Sequence, residues 1–269
     1  MRFIGILIAL FSALSSGSGA FAHEFWLSPD RYTVPAGGQL VANIRVGQNF
    51  KGAAYSYIPH DITRFDVVMG DGVVKVEGRM GDRPALDMKA PGEGLAIVVH
   101  ETDDSKLTYK DGQKFVDFVK HKAFPGVLEA HRARGLPQDN FKETYRRFAK
   151  ALIAVGDGAG ADRQVGLATE IVALANPFTD DLSGGMPVQV FLDGAPKAHA
   201  QVEVFAKDSE GEVEVTIHKA DDAGKVTLPM KPGTEYLIDS VTLVPLEAKD
   251  IATDAVWHSM WAALTFKTP

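Results

Sequence analysis

The chain of 269 residues contains no cysteine. Without thiols there is no disulfide framework, so the fold must be held by its core alone. A metal site would likewise lack thiolate and would have to draw on histidine, carboxylate, methionine or backbone groups. Long apolar runs are also scarce. One spans residues 3–14, broken by Gly5 and Ser12, and it is shorter than the roughly 20 residues that a bilayer core requires. Basic residues are outnumbered, 28 Lys and Arg against 35 Asp and Glu, for a net charge of −7. That balance gives no electrostatic footprint for nucleic acid and favours small cations as partners.

Catalytic signatures are missing too. There is no Gly-x-Ser-x-Gly elbow, no phosphate-binding Walker loop, no His-Glu-x-x-His and no dinucleotide fingerprint after a strand. Gly156, Gly158 and Gly160 form a lone glycine loop without the strand–helix context that would give it meaning. The paired acids Asp103-Asp104, Asp180-Asp181 and Asp221-Asp222 sit in turns, where Asp bonds its own backbone. No acid–base pair suggests itself, and the chain is read as a non-enzyme.

What is present begins at the N-terminus. Arg2, the apolar run and the small-residue junction Ala20-Phe21-Ala22 have the three-part form of a cleavable signal peptide over residues 1–22. Cleavage after Ala22 would start the mature protein at His23, and export without disulfides points to a bacterial periplasm. No other segment has the length and apolarity of a membrane span.

Beyond the signal, short apolar runs separated by turn signals predict a mainly β protein. Residues 31–34 and 39–46 read as strands about a Pro-Ala-Gly-Gly turn, and 65–69 and 73–78 as a hairpin about Gly70-Asp71-Gly72. The unbroken apolar run 95–99 ending in His100 reads as a buried strand. Residues 111–153 break the rhythm: Phe115, Phe118 and Val119, then Phe141, Tyr145, Phe148 and Leu152, recur at helical spacing. The expectation is two β-sandwich domains of immunoglobulin or transthyretin type. The first covers 23–165 with a helical insertion at about 111–153, and the second covers 166–269.

His23 carries the most chemistry. An N-terminal histidine offers its α-amine and its own Nδ1 to one metal, closing a six-membered chelate that no internal histidine can form. A peptide α-amine ordinarily titrates near 7.7–8.0 and an imidazole near 6.5, so a divalent ion can displace the protons of both kinds of group at neutral pH. Nitrogen donors of this kind suit Ni(II) and Cu(II). The sequel Phe25-Trp26-Leu27 is too apolar to float and should anchor the terminus as a first strand.

Of the eight histidines, His258, between Trp257 and Trp261, and His100, at its strand end, are the candidate further ligands. His121 and His131, ten residues apart in the expected insertion, do not share a helical face and read as surface residues. His60 lies in a tyrosine-containing loop. His199 and His218 read as solvent-facing.

The opening His23-Glu24-Phe25-Trp26-Leu27 resembles the periplasmic components of bacterial nickel and cobalt uptake systems, a NikK-like group also known as domain-of-unknown-function family 4198. Residues 143–150, 174–177 and 257–266 are similar as well, so the likeness extends over most of the mature chain. The resemblance implies a periplasmic protein that binds a transition metal. The leading expectation is that it delivers Ni(II) or Co(II), with Cu(II) also suited to the nitrogen donors, to a membrane transporter. It carries His23 and His258 as ligand positions. Two other classes fit the same residues less fully: a structural or interaction protein of the envelope, and a copper oxygenase built on a histidine brace.

Overall fold

The computed structural model describes residues 23–269; the segment read as a signal peptide lies outside them. The chain opens with β1 (Glu24–Pro29), β2 (Thr33–Val34), β3 (Gln39–Gln48) and β4 (Lys51–Tyr55). Next come β5 (Ile62–Met69), β6 (Gly72–Lys75), β7 (Leu86–Lys89), β8 (Gly94–Thr102) and β9 (Ser105–Tyr109). Two helices, α1 (Gln113–His121) and α2 (Val127–Ala133), precede the long β10 (Phe141–Val155). The chain continues with β11 (Thr169–Ala173), β12 (Met186–Leu192), β13 (Ala195–Pro196) and β14 (Gln201–Lys207). It closes with β15 (Val213–Lys219), β16 (Lys225–Leu228), β17 (Glu235–Pro245) and β18 (Ala255–Lys267). The protein is mainly β, as its turn-punctuated apolar runs predict.

These strands form three sheets. The largest has ten strands, with the path β15-β14-β17-β18-β10-β8-β5-β6 and with β2 and β9 paired to β10. Against one face lies the sheet of β1, β3, β4 and β7, and the core between them holds Trp26, Leu27, Leu40, Val98, Ala151 and Ile153. Against the other lies the sheet of β11, β12, β13 and β16, packed through Ile97, Phe148, Leu152, Val188, Val190 and Leu264. The two sandwiches therefore share their middle sheet. Residues from before and after position 165 meet inside it, where β10 and β18 run parallel from Lys142 to Ala151 and from Ala255 to Thr265.

The helical expectation for 111–153 needs correction in its second half. Residues 113–121 and 127–133 are helical, but 141–155 form β10, at the centre of the large sheet. Phe141 and Tyr145, like Phe148 and Leu152, are four residues apart, an even step that shares a face in a strand as well as in a helix. The second half of β10 is buried on both sides, so it lacks the polar alternation that marks a half-exposed strand. The two helices cover the end of this sheet through Phe115, Phe118 and Val119, which pack with Trp257 and Trp261.

Candidate metal centre

The first strand fixes the N-terminal end of the described chain. Phe25, Trp26 and Leu27 are buried, and β1 pairs antiparallel with β3 from Glu24↔Gly47 to Pro29↔Ala42. The hydroxyl of Thr265 in β18 donates to the carbonyl of Leu27 at 2.8 Å. The anchoring expected from Phe-Trp-Leu is thus a property of the fold. His23 stands exposed just before this strand, with its carbonyl 3.5 Å from Nη2 of Arg147.

A cavity of about 470 Å³ opens there, between the start of β1, the turn before β5, the end of β8 and β10. It brings together His23, His60 and His100, with the carboxylates of Asp61, Asp103 and Asp104. His60 is exposed in the short 3₁₀ turn Pro59–Asp61. From sequence it could line a site or simply be exposed; here it is exposed and also lines this cavity.

His100 is the unusual member. It lies near the end of β8 with only 2 % of its surface exposed. Its ring meets Phe65 edge-on at 4.9 Å between centroids and Phe25 at 5.3 Å. Neither ring nitrogen has a hydrogen-bond partner. Burial lowers the imidazole to about 3 from its ordinary value near 6.5, so it is held neutral, the form in which histidine binds metals.

Charge at the cavity is mixed. Arg146 neutralises part of the acidic rim, with Nε 2.7 Å from Asp104 and Nη1 3.1 Å from Glu101. Arg147 stacks over Tyr145 at 4.7 Å and over Phe25 at 5.6 Å, and its buried Nε has no partner. Burial lowers this guanidinium from its ordinary value.

His258 is not brought to this cavity. It sits half-buried on β18, its Nδ1 2.9 Å from the hydroxyl of Thr144. Thr144 is paired with His258 across the parallel register, while its neighbour Tyr145 lines the cavity. Successive residues of a strand face opposite ways, so His258 occupies the other face of the sheet. Burial lowers its imidazole from the ordinary value, with Arg146 adding to the effect and Asp104 opposing it.

The remaining histidines divide. His131 is not a surface residue: it is 3 % exposed, accepts from Trp257 Nε1 at 3.0 Å and lies 2.9 Å from the carbonyl of Pro137. Its ring stacks on Trp257 and meets Phe141 edge-on, which makes it part of the helical core. His121 is partly exposed, with Nε2 3.3 Å from Glu203. His199 lies at the surface beside Asp222, and His218 is half-exposed beside Thr216.

Across β1 from the histidine cavity, Glu24 points the other way. It is 6 % exposed, and its Oε2 has no hydrogen-bond partner. Burial raises its carboxyl to about 7, with the charges of Asp239 and Glu203 adding to the rise and Lys122 opposing it.

A family model described as "Domain of unknown function (DUF4198)" matches residues 20–243. The chain belongs to the DUF4198 family. The match includes His23, His60 and His100, and ends before His258. No curated protein matches. Among solved structures, a crystal structure of a tetra-tandem repeat in the extending region of a large adhesion protein aligns with 90 % of this chain at 11 % identity. The chain spans about half of that structure's length, 49 %, and the TM-score is 0.21. A likeness that loose says nothing of this family member's function.

Proposed function

We propose that the protein is a periplasmic carrier for a divalent transition metal ion, Ni(II) or Co(II) foremost and Cu(II) also suited, which it passes to a membrane uptake system. Membership of the DUF4198 family supports this reading through the nickel and cobalt resemblance of the His23-Glu24-Phe25-Trp26-Leu27 opening. The observation that carries it is the buried His100, both of whose ring nitrogens lack partners, at the same cavity as His23. A buried polar side chain left without partners costs the fold about 1–3 kcal/mol, and a bound ion would give one ring nitrogen of His100 a partner.

The residues fit a nitrogen-donor ion. Export with cleavage after Ala22 would give His23 a free α-amine, and this amine with Nδ1 would form the chelate. His100 offers a neutral imidazole and His60 an exposed one. Among the described residues no three His, Asp or Glu side chains stand close enough to hold an ion by themselves. The terminal amine, which only processing can create, is therefore central to the proposed ligand set. Asp61, Asp103 and Asp104 at the rim favour the approach of a cation.

Among the described residues no helix is long and apolar enough to cross a membrane; the membrane transporter is part of the proposal. The test is calorimetric titration of Ni(II) and Co(II) into protein beginning at His23, against a variant with one alanine added before it. The added residue destroys the six-membered chelate while leaving every side chain in place, and tight binding should be lost. Equal affinity in the two forms would refute the reading.

A further inference from the structure

The second face of β1 borders a separate cavity of about 290 Å³, formed with the β3–β4 turn, α1 and β14. Its inner wall is acidic. Lys122 is almost wholly buried, and its Nζ lies 2.9 Å from Asp239 Oδ2 and 3.0 Å from Glu203 Oε1. That ammonium also stands 5.0 Å over the ring of Trp261. Glu203 carries two further contacts, His121 Nε2 at 3.3 Å and Gln201 Nε2 at 3.0 Å. With Lys122 held by this pair, Glu24 faces the cavity with no cation of its own. The backbone N–H of Asn49 donates to its carboxyl, while Oε2 is buried and has no partner.

The rest of the lining is apolar in part: Phe118, Phe205 and Val215 border the same space. An ion bound by carboxylates alone would have no use for these groups, and no three His, Asp or Glu among the described residues are placed to hold a metal. An organic cation would use both kinds of wall. Its ammonium would give Glu24 the missing donor, and its carbon chain would cover the aromatic and aliphatic surface, with cation–π attraction available from the rings. Lys122 gives the pattern from within the protein: an alkylammonium set on two carboxylates above an indole face. A cavity of this volume lies at the lower limit of small-molecule sites, which restricts the ligand to a few carbon atoms.

We infer that this cavity binds a small primary alkylammonium, with its charge on Glu24 Oε2 and its chain against Phe118, Phe205 and Val215. The inference is independent of the metal reading, since it uses the opposite face of β1 and none of the three cavity histidines.

Calorimetric titration of the purified protein with n-butylammonium tests it, with n-butanol and butyrate as probes of the same length but without the positive charge. One butylammonium should bind, and the neutral and anionic probes at least about tenfold more weakly, as expected for loss of one hydrogen bond to a charged group. Glu24→Gln keeps the shape of the wall, removes its charge and should weaken butylammonium by a similar factor. Val215→Trp fills the cavity from a lining position that is 43 % exposed and should abolish binding without depending on the buried acid. Butanol binding as tightly as butylammonium, or unchanged affinity in Val215→Trp, would overturn the inference, and so would unchanged affinity in a folded Glu24→Gln.

Discussion

His100 stands between Phe25 and Phe65 where an apolar side chain of similar size would satisfy the packing without leaving two nitrogens unpartnered. The substitution His100→Leu should therefore raise stability by about 1 kcal/mol in denaturant unfolding. In the metal titration it should cost roughly 10- to 100-fold in affinity, at least what loss of a ligand's supporting partner costs elsewhere. A pH series separates the two effects. The folded imidazole titrates at about 3, whereas in the unfolded chain it titrates near 6.5. Between these values the unfolded state holds the extra proton, so stability falls as pH falls from about 6.5 towards 3. That slope should disappear in His100→Leu. His100 was legible as a strand-end histidine in an apolar run, but its lack of partners was not, because that depends on Phe25 and Phe65 arriving from two other strands.

At the scale of the element, β10 shows what a sequence pattern can and cannot settle. Its first half pairs with β9 and its second half with β8, while β18 runs along the other side. Phe148–Val155 is buried on both faces, which removes the alternation by which a strand is recognised and leaves a helix-like spacing. The hairpin of β5 and β6 was legible in outline, although Gly72, expected in the turn, pairs with Met69, and β6 ends at Lys75 rather than running on to residue 78. Burial also brings ionisable groups into β10. Glu143 is buried and accepts from Tyr109 at 2.9 Å and from Ser259. Burial raises its carboxyl to about 7, against the lowering effect of those two hydrogen bonds. A carboxyl raised in the folded state contributes stability that is fully present below the unfolded value near 4.3 and is lost as pH rises through about 7. Glu143→Gln keeps an acceptor for one hydroxyl, turns an amide donor towards the oxygen of the other, and should flatten the stability profile across that window. A profile unchanged by the substitution would show that Glu143 is ionised in the fold at an ordinary pH.

The whole molecule is a middle sheet covered on both faces, and without disulfides its layers must be joined by packing and buried polar contacts. Lys150 is one such joint: from β10 its Nζ reaches Asp162 at 2.7 Å and Glu170 of β11 at 3.1 Å, all three buried. Lys150→Ala would leave two carboxylates uncompensated and should destabilise the fold by about 3–5 kcal/mol in denaturant unfolding. A cost near zero would mean that water or protonation takes the place of the ammonium. This three-layer arrangement also explains how much of the candidate site could be read in advance. The anchored N-terminus was legible, because Phe25-Trp26-Leu27 is local in the sequence. The pairing of His23 with His60 and His100, and the separation of His258, depend on which strands become neighbours and which face each residue takes.

The proposal that one metal ion is held at His23 after processing is tested by native mass spectrometry of the protein recovered from cells expressing the full chain and titrated with Ni(II), Co(II) and Cu(II). The expected spectrum shows a chain mass that begins at His23 and a single bound ion, with selectivity among the three. A mass that begins at another residue, or a chain that begins at His23 and stays metal-free across the titration, would contradict it.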